Sequence, residues 1–289
     1  VPELPEVETI RLGLQRYVVG HTIVDVEVRL AKMLSGDVKY VIGAKIIGVR
    51  RFGKGLVIDL DNGFSIAVHV KMTGQLLYVF ALDARGSASA GASADKPVAP
   101  GFSFDLPDKY THVIFSLDNN ADLYYRDIRQ FGWVKILATK DVLELPFFKS
   151  LGLEPLKNLT FEKFKERLTV KTAIKLVLMD QKKIAGIGNI YANDALFMAK
   201  IHPKRPASSL SKNEQKELFI AIEKVLQKGI EAGGASEWNY VDVLGGRGKY
   251  QNFFQVYQKE GKPCRNCGTI IEKITLGSRG TFFCPACQR

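Results

Sequence analysis

No stretch of these 289 residues carries the run of about 18 or more apolar side chains that a membrane span requires. The N-terminus also lacks the basic and apolar regions of a secretory signal, so the chain is expected in the cytoplasm, with no membrane partner. Cysteine is absent before position 264, which confines thiol chemistry to the C-terminal end. Positive charge is scarce in the first half: residues 1–135 hold 16 Lys/Arg against 15 Asp/Glu, while residues 136–289 hold 25 against 15. The net charge of +11 therefore sits almost entirely in the second half. A basic half beside a neutral one suits a polyanion held more by one domain than by the other, although a basic face can also be merely solvated. With 46% hydrophobic residues, the length supports two domains with substantial cores.

The most informative stretch is Val1-Pro2-Glu3-Leu4-Pro5-Glu6-Val7-Glu8-Thr9. An internal proline is a tertiary amide with no N–H, whereas a terminal one is a secondary amine. A free α-amino group has a pKa of about 7.7–8 and is partly neutral near neutral pH. Such an amine can attack a sugar aldehyde carbon and form a cationic iminium, an electron sink like that of Schiff-base lysines. Pro2 would be the nucleophile if it were the first residue, which makes Val1 an expected artefact of translation or annotation. Glu3 and Glu6 would stand beside it as proton carriers. The plainer reading makes Pro5 a first-turn proline and Glu6 and Glu8 partners of the helix dipole. Val7, Ile10, Leu14 and Val18 recur at helical spacing with Gly20 closing the helix, and the two readings are compatible.

The cysteines form Cys264-x2-Cys267 and Cys284-x2-Cys287, separated by sixteen residues. This spacing suits one tetrahedral zinc ion on a β-hairpin. Two disulfides are the alternative, disfavoured in a reducing compartment. Four thiolates close the coordination shell, so the metal would be structural and would brace the hairpin Thr269–Phe283, whose tip carries Arg279 in reach of a phosphate.

Between these ends, period-two alternation predicts strands over residues 22–80, with Val24, Val26, Val28 and Leu30 on the buried side. Further strands are predicted at Lys45–Arg50, Leu56–Leu60, Phe64–Val70, Tyr110–Leu117, Asp122–Tyr125 and Trp133–Leu137, giving a β-sandwich or flattened barrel after one helix. Residues 84–107, rich in Gly, Ala, Ser and Pro, read as a disordered insertion. Helices are predicted at Ala173–Asp180, from Asn189 to Lys200, and over Lys212–Ala232 behind a Ser211-x-x-Glu214 capping box. The glycines of Ile184-Ala185-Gly186-Ile187-Gly188-Asn189 either expose backbone N–H groups as a phosphate site or simply allow a tight turn.

Taken together, the chain resembles the bacterial formamidopyrimidine-DNA glycosylases, base-excision enzymes that remove oxidised purines. The resemblance rests on Pro2–Thr9, Gly53-Lys54, His69–Gly74, Asp127-Ile128-Arg129-Gln130-Phe131-Gly132, Gly186–Tyr191 and the cysteine hairpin. It implies an α+β protein: an N-terminal helix with an antiparallel β-sandwich (1–137), a linker (138–155), a helix-two-turn-helix region (156–255) and a zinc finger (256–289). Pro2 would attack C1′ of the damaged nucleotide, aided by Glu3 and Glu6, with elimination then cutting the backbone on both sides. Lys54 would be a catalytic lysine; on its residues alone it reads as a solvated strand-end lysine. Met72, Arg129 and Phe131 would fill the gap left by the extruded base and pair with the orphaned cytosine, although Met72 and Phe131 alone would be taken for core residues. Asn189 and Arg279, with His69 as a helper, would grip phosphates. The partner implied is damaged double-stranded DNA bound by a monomer, with zinc as the one cofactor.

Two positions depart from the family pattern. The loop expected to face the lesion, Gly233-Gly234-Ala235-Ser236-Glu237-Trp238-Asn239-Tyr240, lacks the usual Thr or Ser pair followed by a basic residue, and Asp194 stands where the family has Glu. Three rivals stay open: an endonuclease VIII-type enzyme for oxidised pyrimidines, a silent damaged-DNA binder if Val1 is retained, and a zinc-ribbon RNA-binding module.

Overall fold

The structure is a computed structural model that describes residues 2–80 and 106–289, so Val1 and most of the anticipated insertion lie outside the described residues. Two compact units emerge: Val1–Pro2, Glu6–Phe148 and Ala235–Gly248 form one, and Glu3–Pro5, Lys149–Gly234 and Lys249–Arg289 the other.

Most of helix α1 (Leu4–Tyr17) belongs to the first unit. Val7, Ile10, Leu14 and Val18 lie on one stripe and are buried, as their spacing predicts. Among the described residues nine strands follow: β1 (Ile23–Val28), β2 (Leu34–Ser35), β3 (Ile46–Phe52), β4 (Gly55–Leu60), β5 (Phe64–His69), β6 (Gly74–Phe80), β7 (Thr111–Leu117), β8 (Ala121–Asp127) and β9 (Trp133–Ala138). They make a four-stranded sheet ordered β1-β7-β8-β6 and a five-stranded sheet ordered β2-β9-β5-β4-β3. All pairings are antiparallel except the short parallel β2–β9 contact. One apolar core joins α1 to both sheets, with Leu56, Ile58, Ile66 and Val68 from one and Leu76, Val113, Phe115 and Tyr125 from the other. This is a sandwich, which resolves the choice left open by strand count alone.

β1 departs from the expected alternation. Val24 is 51% and Val28 38% exposed, and only Val26 and Leu30 pack against the core. The register shifts between Ile23 and Asp25, so Val24 occupies a bulge on an edge strand, where one extra residue rotates the alternation away from the core.

The second unit is helical, then a hairpin. The short α2 (Pro146–Lys149) crosses the boundary between units. After it come α3 (Phe161–Arg167), whose cap Thr160 accepts from Lys163 N, then α4 (Ile174–Met179), α5 (Asn189–Met198) and α6 (Lys212–Glu231). The predicted capping box on α6 is present in both directions between Ser211 and Glu214. Residues Ile190 to Phe197 of α5 are all buried, so α5 is the central helix. Gly229 of α6 lets Tyr191 approach closely: a Cβ there would lie 2.6 Å from the ring. The chain closes with the hairpin β10 (Glu272–Leu276) and β11 (Arg279–Phe283), joined through Gly277 and Ser278, both at positive φ as a tight two-residue turn requires. Among the described residues, no helix is long and apolar enough to cross a membrane.

Candidate active site and metal centre

The head of α1 carries the proposed nucleophile and its carboxylates, and Pro2, Glu3 and Glu6 are all buried. The two carboxylates are held by different parts of the chain. Glu6 accepts from the Ala235 N–H at 2.7 Å. Glu3 is clasped at the N-terminus of α5: Oε1 accepts from Ile190 N at 2.9 Å, and Oε2 from Gly188 N at 2.8 Å and Tyr191 N at 3.4 Å. A carboxylate is the side chain a helix N-terminus favours. This clasp corrects the reading of the glycine turn as a set of free N–H groups for phosphate: Glu3 takes three donors at the helix start, and Gln181 Oε1 takes Gly186 N. Gly188 is required for packing, because a Cβ there would lie 2.4 Å from the Glu3 carboxyl carbon.

Lys54 lies in the turn between β3 and β4, behind Gly53 at φ 56. Arg51 bonds Glu8 of α1 at 2.7 Å and the Gly53 carbonyl at 2.9 Å, bracing this turn, while Arg50 is paired with Asp59. The basic run Arg50–Lys54 is thus partly internal structure. His69, at the end of β5, is buried; its Nδ1 accepts from Lys71 N, and Phe147 packs edge-on at 4.5 Å. Burial, with the positive charges of Lys71 and Lys54, pushes its pKa down to about 3, so the ring is neutral and offers a hydrogen bond rather than a charge.

Met72, Arg129 and Phe131 are brought together. Met72 and Phe131 are exposed, against the core reading of those residue types; the Arg129 guanidinium lies 4.7 Å over the Phe131 ring and its Nη1 is 3.1 Å from Met72 Sδ. Their two loops are tied by buried Asp127, which accepts from Thr73 Oγ1, Arg129 N and Gly132 N. Gly132 leaves no room for a side chain, since a Cβ would meet the Tyr125 hydroxyl.

In the second unit, Asn189 Nδ2 donates to the Gly280 carbonyl at 3.1 Å, beside exposed Arg279 at the start of β11. Sequence reasoning missed Lys175 of α4. It is fully buried and donates to Gly280 O at 3.1 Å and Thr281 Oγ1 at 2.7 Å. Burial lowers its pKa to about 7, with Glu3 opposing and Arg279 adding to the fall. The only signal available was a lysine on the apolar face of a predicted helix.

The four cysteine Sγ atoms lie within 4.8 Å of one another, with Cys264–Cys287 at 3.9 Å, Cys267–Cys284 at 3.5 Å and Cys267–Cys287 at 3.4 Å. Ligands about 2.3 Å from a tetrahedral zinc are about 3.8 Å apart, whereas a disulfide needs about 2.05 Å, so the set fits one shared ion. Phe197, Val256, Ile271 and Phe282 pack around the buried Cys264 and Cys284. This is a single structural zinc site.

Comparison with known proteins bears on the whole chain. Residues 1–134 match the formamidopyrimidine-DNA glycosylase N-terminal domain, residues 151–239 its H2TH domain, and residues 261–289 the zinc finger found in FPG and IleRS. The formamidopyrimidine-DNA glycosylase of Pelotomaculum thermopropionicum is 42% identical over 100% of this chain and 99% of its own length. The chain belongs to the formamidopyrimidine-DNA glycosylase family. A second member, from Herpetosiphon aurantiacus, is 40% identical over the full length of both chains. Among solved structures, a point mutant of Lactococcus lactis FPG in complex with Fapy-dG-containing DNA superposes with a TM-score of 0.85 at 34% identity, covering both chains fully. Wild-type Lactococcus lactis FPG with oxidised-pyrimidine-containing DNA gives 0.84, also at 34% identity and full coverage of both chains.

Within the family frame, the departure at Asp194 is accommodated. Though shorter than Glu, Asp194 is buried and accepts from Gln255 N at 3.0 Å, Val256 N at 3.2 Å, Tyr257 N at 3.5 Å and Tyr250 Oη at 3.3 Å. It anchors the segment leading into the zinc hairpin; burial raises its pKa to about 6 against the lowering effect of these donors.

Proposed function

We propose that the protein is a bifunctional DNA glycosylase and abasic-site lyase that excises oxidised purines from duplex DNA as a monomer in the cytoplasm. The observation that carries this reading is the buried head of α1, where Glu3 and Glu6 follow Pro2 and each is fixed by backbone N–H donors. With Pro2 as the first residue, its nitrogen lone pair forms a bond to C1′ while the glycosidic electrons leave with the protonated base. The proton that the Pro2 nitrogen sheds on bonding passes by way of Glu3 to O4′, so the C1′–O4′ bond breaks, the sugar opens and the nitrogen lone pair closes the iminium; Glu6 assists. The resulting iminium acidifies the C2′ hydrogens, and successive eliminations expel the 3′ and then the 5′ phosphate. Met72, Arg129 and Phe131 hold the gap in the stack, which costs a few kcal/mol to open. Lys54 is the catalytic lysine beside the damaged nucleotide, and Asn189 and Arg279, with His69 as a helper, grip phosphates about the lesion. Zinc holds the hairpin that bears Arg279 and takes no part in bond making.

The test is intact mass and N-terminal sequencing of protein made from its natural start codon, followed by borohydride trapping on an 8-oxoguanine duplex. A Pro2 terminus and a covalent adduct through it are expected. A retained Val1 without adduct would make the protein a silent damage binder. Preference for thymine glycol over 8-oxoguanine would move it to the endonuclease VIII type, and equal binding to undamaged RNA would revive the ribbon-module reading.

A further inference from the structure

Trp238 is 78% exposed, while the next most exposed large apolar side chain among the described residues, Ile47, reaches 56%. An aromatic side chain of this size left in water forgoes the transfer free energy that burial would supply. Nor does it sit on a fraying segment. Ala235 N donates to Glu6 Oε1 at 2.7 Å, and the Tyr240 hydroxyl donates to the Glu6 carbonyl at 3.3 Å. Ser236 Oγ donates to Tyr240 O and accepts from Gly248 N, both at 2.8 Å, and Arg247 Nη2 reaches Ser236 O at 2.7 Å. Gln75 Nε2 holds the Asn239 carbonyl. Ser236 and Tyr240 are buried, Glu237 and Asn239 are half-buried, and only Trp238 stands clear of this stem. The loop is therefore a rigid mount for one aromatic ring, bonded at both ends to a residue four positions from Pro2.

Charge narrows the occupant. From Ala235 to Gly246 there is no Lys or Arg, while Glu237 and Asp242 are acidic. The nearest cation in sequence, Arg247, is bonded to the Ser236 carbonyl in the stem, so the residues flanking the ring offer acidic rather than basic groups to a phosphodiester. The loop offers instead a flat π face with one N–H donor, which complements a nucleobase removed from its stack. We propose that Trp238 is the platform on which the extruded damaged base stacks, so that the lesion is selected by ring area and stacking more than by hydrogen bonds to its edge. This inference rests on the glycosylase reading above and extends it to the determinant of substrate class.

The full-length protein and its Trp238→Ala and Trp238→Phe variants are compared in two single-turnover reactions: release of 8-oxoguanine from a duplex, and strand cleavage at a preformed abasic site, which has no base to stack. Aromatic–base stacking supports a fall in the ratio of base release to abasic cleavage of about tenfold or more in the Ala variant, equivalent to about 1.4 kcal/mol, with most of the ratio kept in Phe. Tryptophan emission of the wild type, but not of Trp238→Phe, should be quenched on binding a duplex with an uncleavable lesion. An Ala ratio within twofold of wild type overturns the inference, as does an equal loss in both reactions, which would mark a role in folding or general DNA binding. An equal fall in Ala and Phe would assign the effect to the indole N–H and refute stacking. If wild type performs neither reaction, the function reading falls and takes this inference with it; if it performs both and only the ratio is unmoved, the inference alone falls.

Discussion

Replacing Gly188 by alanine should cripple base release while leaving the fold in place. The backbone at Gly188, with φ −132° and ψ −155°, is extended and open to any L-residue, so the cost lies in space alone. The new Cβ would stand 2.4 Å from Glu3 Cδ and 2.5 Å from Oε1, and an ordinary contact begins near 3.4 Å, so the carboxylate must move by about 1 Å. That displacement stretches the 2.8 and 2.9 Å bonds from Gly188 N and Ile190 N beyond hydrogen-bond range. A displacement of about 1 Å in a reacting group costs about 10²-fold in rate. Hydrogen bonds to a charged group contribute about 1.5–3 kcal/mol each, a ceiling here because a shifted carboxylate can regain some partners. The assay pairs single-turnover 8-oxoguanine release with a thermal melt. Base release within threefold of wild type, at an unchanged melting temperature, would refute the argument that this clasp aims Glu3. Loss of folding would refute the argument that only the carboxylate gives way.

Three other outcomes follow from the same geometry. Stripping zinc, or Cys284→Ser, should release the β10–β11 hairpin and weaken DNA binding about tenfold or more without removing the Pro2 nucleophile; full incision with zinc demonstrably absent would contradict this. Affinity for duplex DNA should fall steeply and linearly with the logarithm of salt, because the excess of 25 Lys/Arg over 15 Asp/Glu in residues 136–289 meets phosphates; a flat titration would contradict that footprint. The Arg205 guanidinium pulls the Glu214 pKa from 4.5 to about 2, so this pair contributes stability above pH 4.5 that is lost as pH falls toward 2. Acid titration of Glu214→Gln should show a shallower loss over that window, and an unchanged slope would mean that the pair does not couple to folding.

Local pattern made much of the fold legible. The α1 stripe, the α6 capping box and most strand positions rest on periodicities and end signals that span a few residues, and the structure places Leu4–Tyr17, Lys212–Glu231 and the seven individually predicted strands accordingly, while β2 and β6 are covered only by the general strand reading of residues 22–80. The four cysteines were legible because metal geometry constrains spacing along the chain. β1 was misread because a bulge depends on its partner strand: nothing within Ile23–Val28 announces the shift against Leu117 and Ser116.

The candidate site was legible in its residues and illegible in its supports. Pro2, Glu3 and Glu6 stand out because an N-terminal Pro-Glu serves no helix-building purpose, but what fixes them comes from elsewhere in the chain: Glu3 from Gly188 and Ile190, Glu6 from Ala235. Gly186 and Gly188 invited a phosphate reading because glycine before a helix is ambiguous between leaving N–H groups open to a ligand and admitting an internal side chain. Only a tertiary contact decides between them, and here the occupant is a carboxylate 185 positions away from Gly188. Lys175 shows the same limit in reverse: a charge on a buried helix face reads as an error of pattern until Gly280 and Thr281 supply its acceptors. The reacting groups can thus be named from a few residues, while the geometry that would make them react depends on contacts between distant segments. Substitutions at supporting positions such as Gly188 are therefore the sharper test of the proposed chemistry, because they move a proposed catalytic group without deleting it.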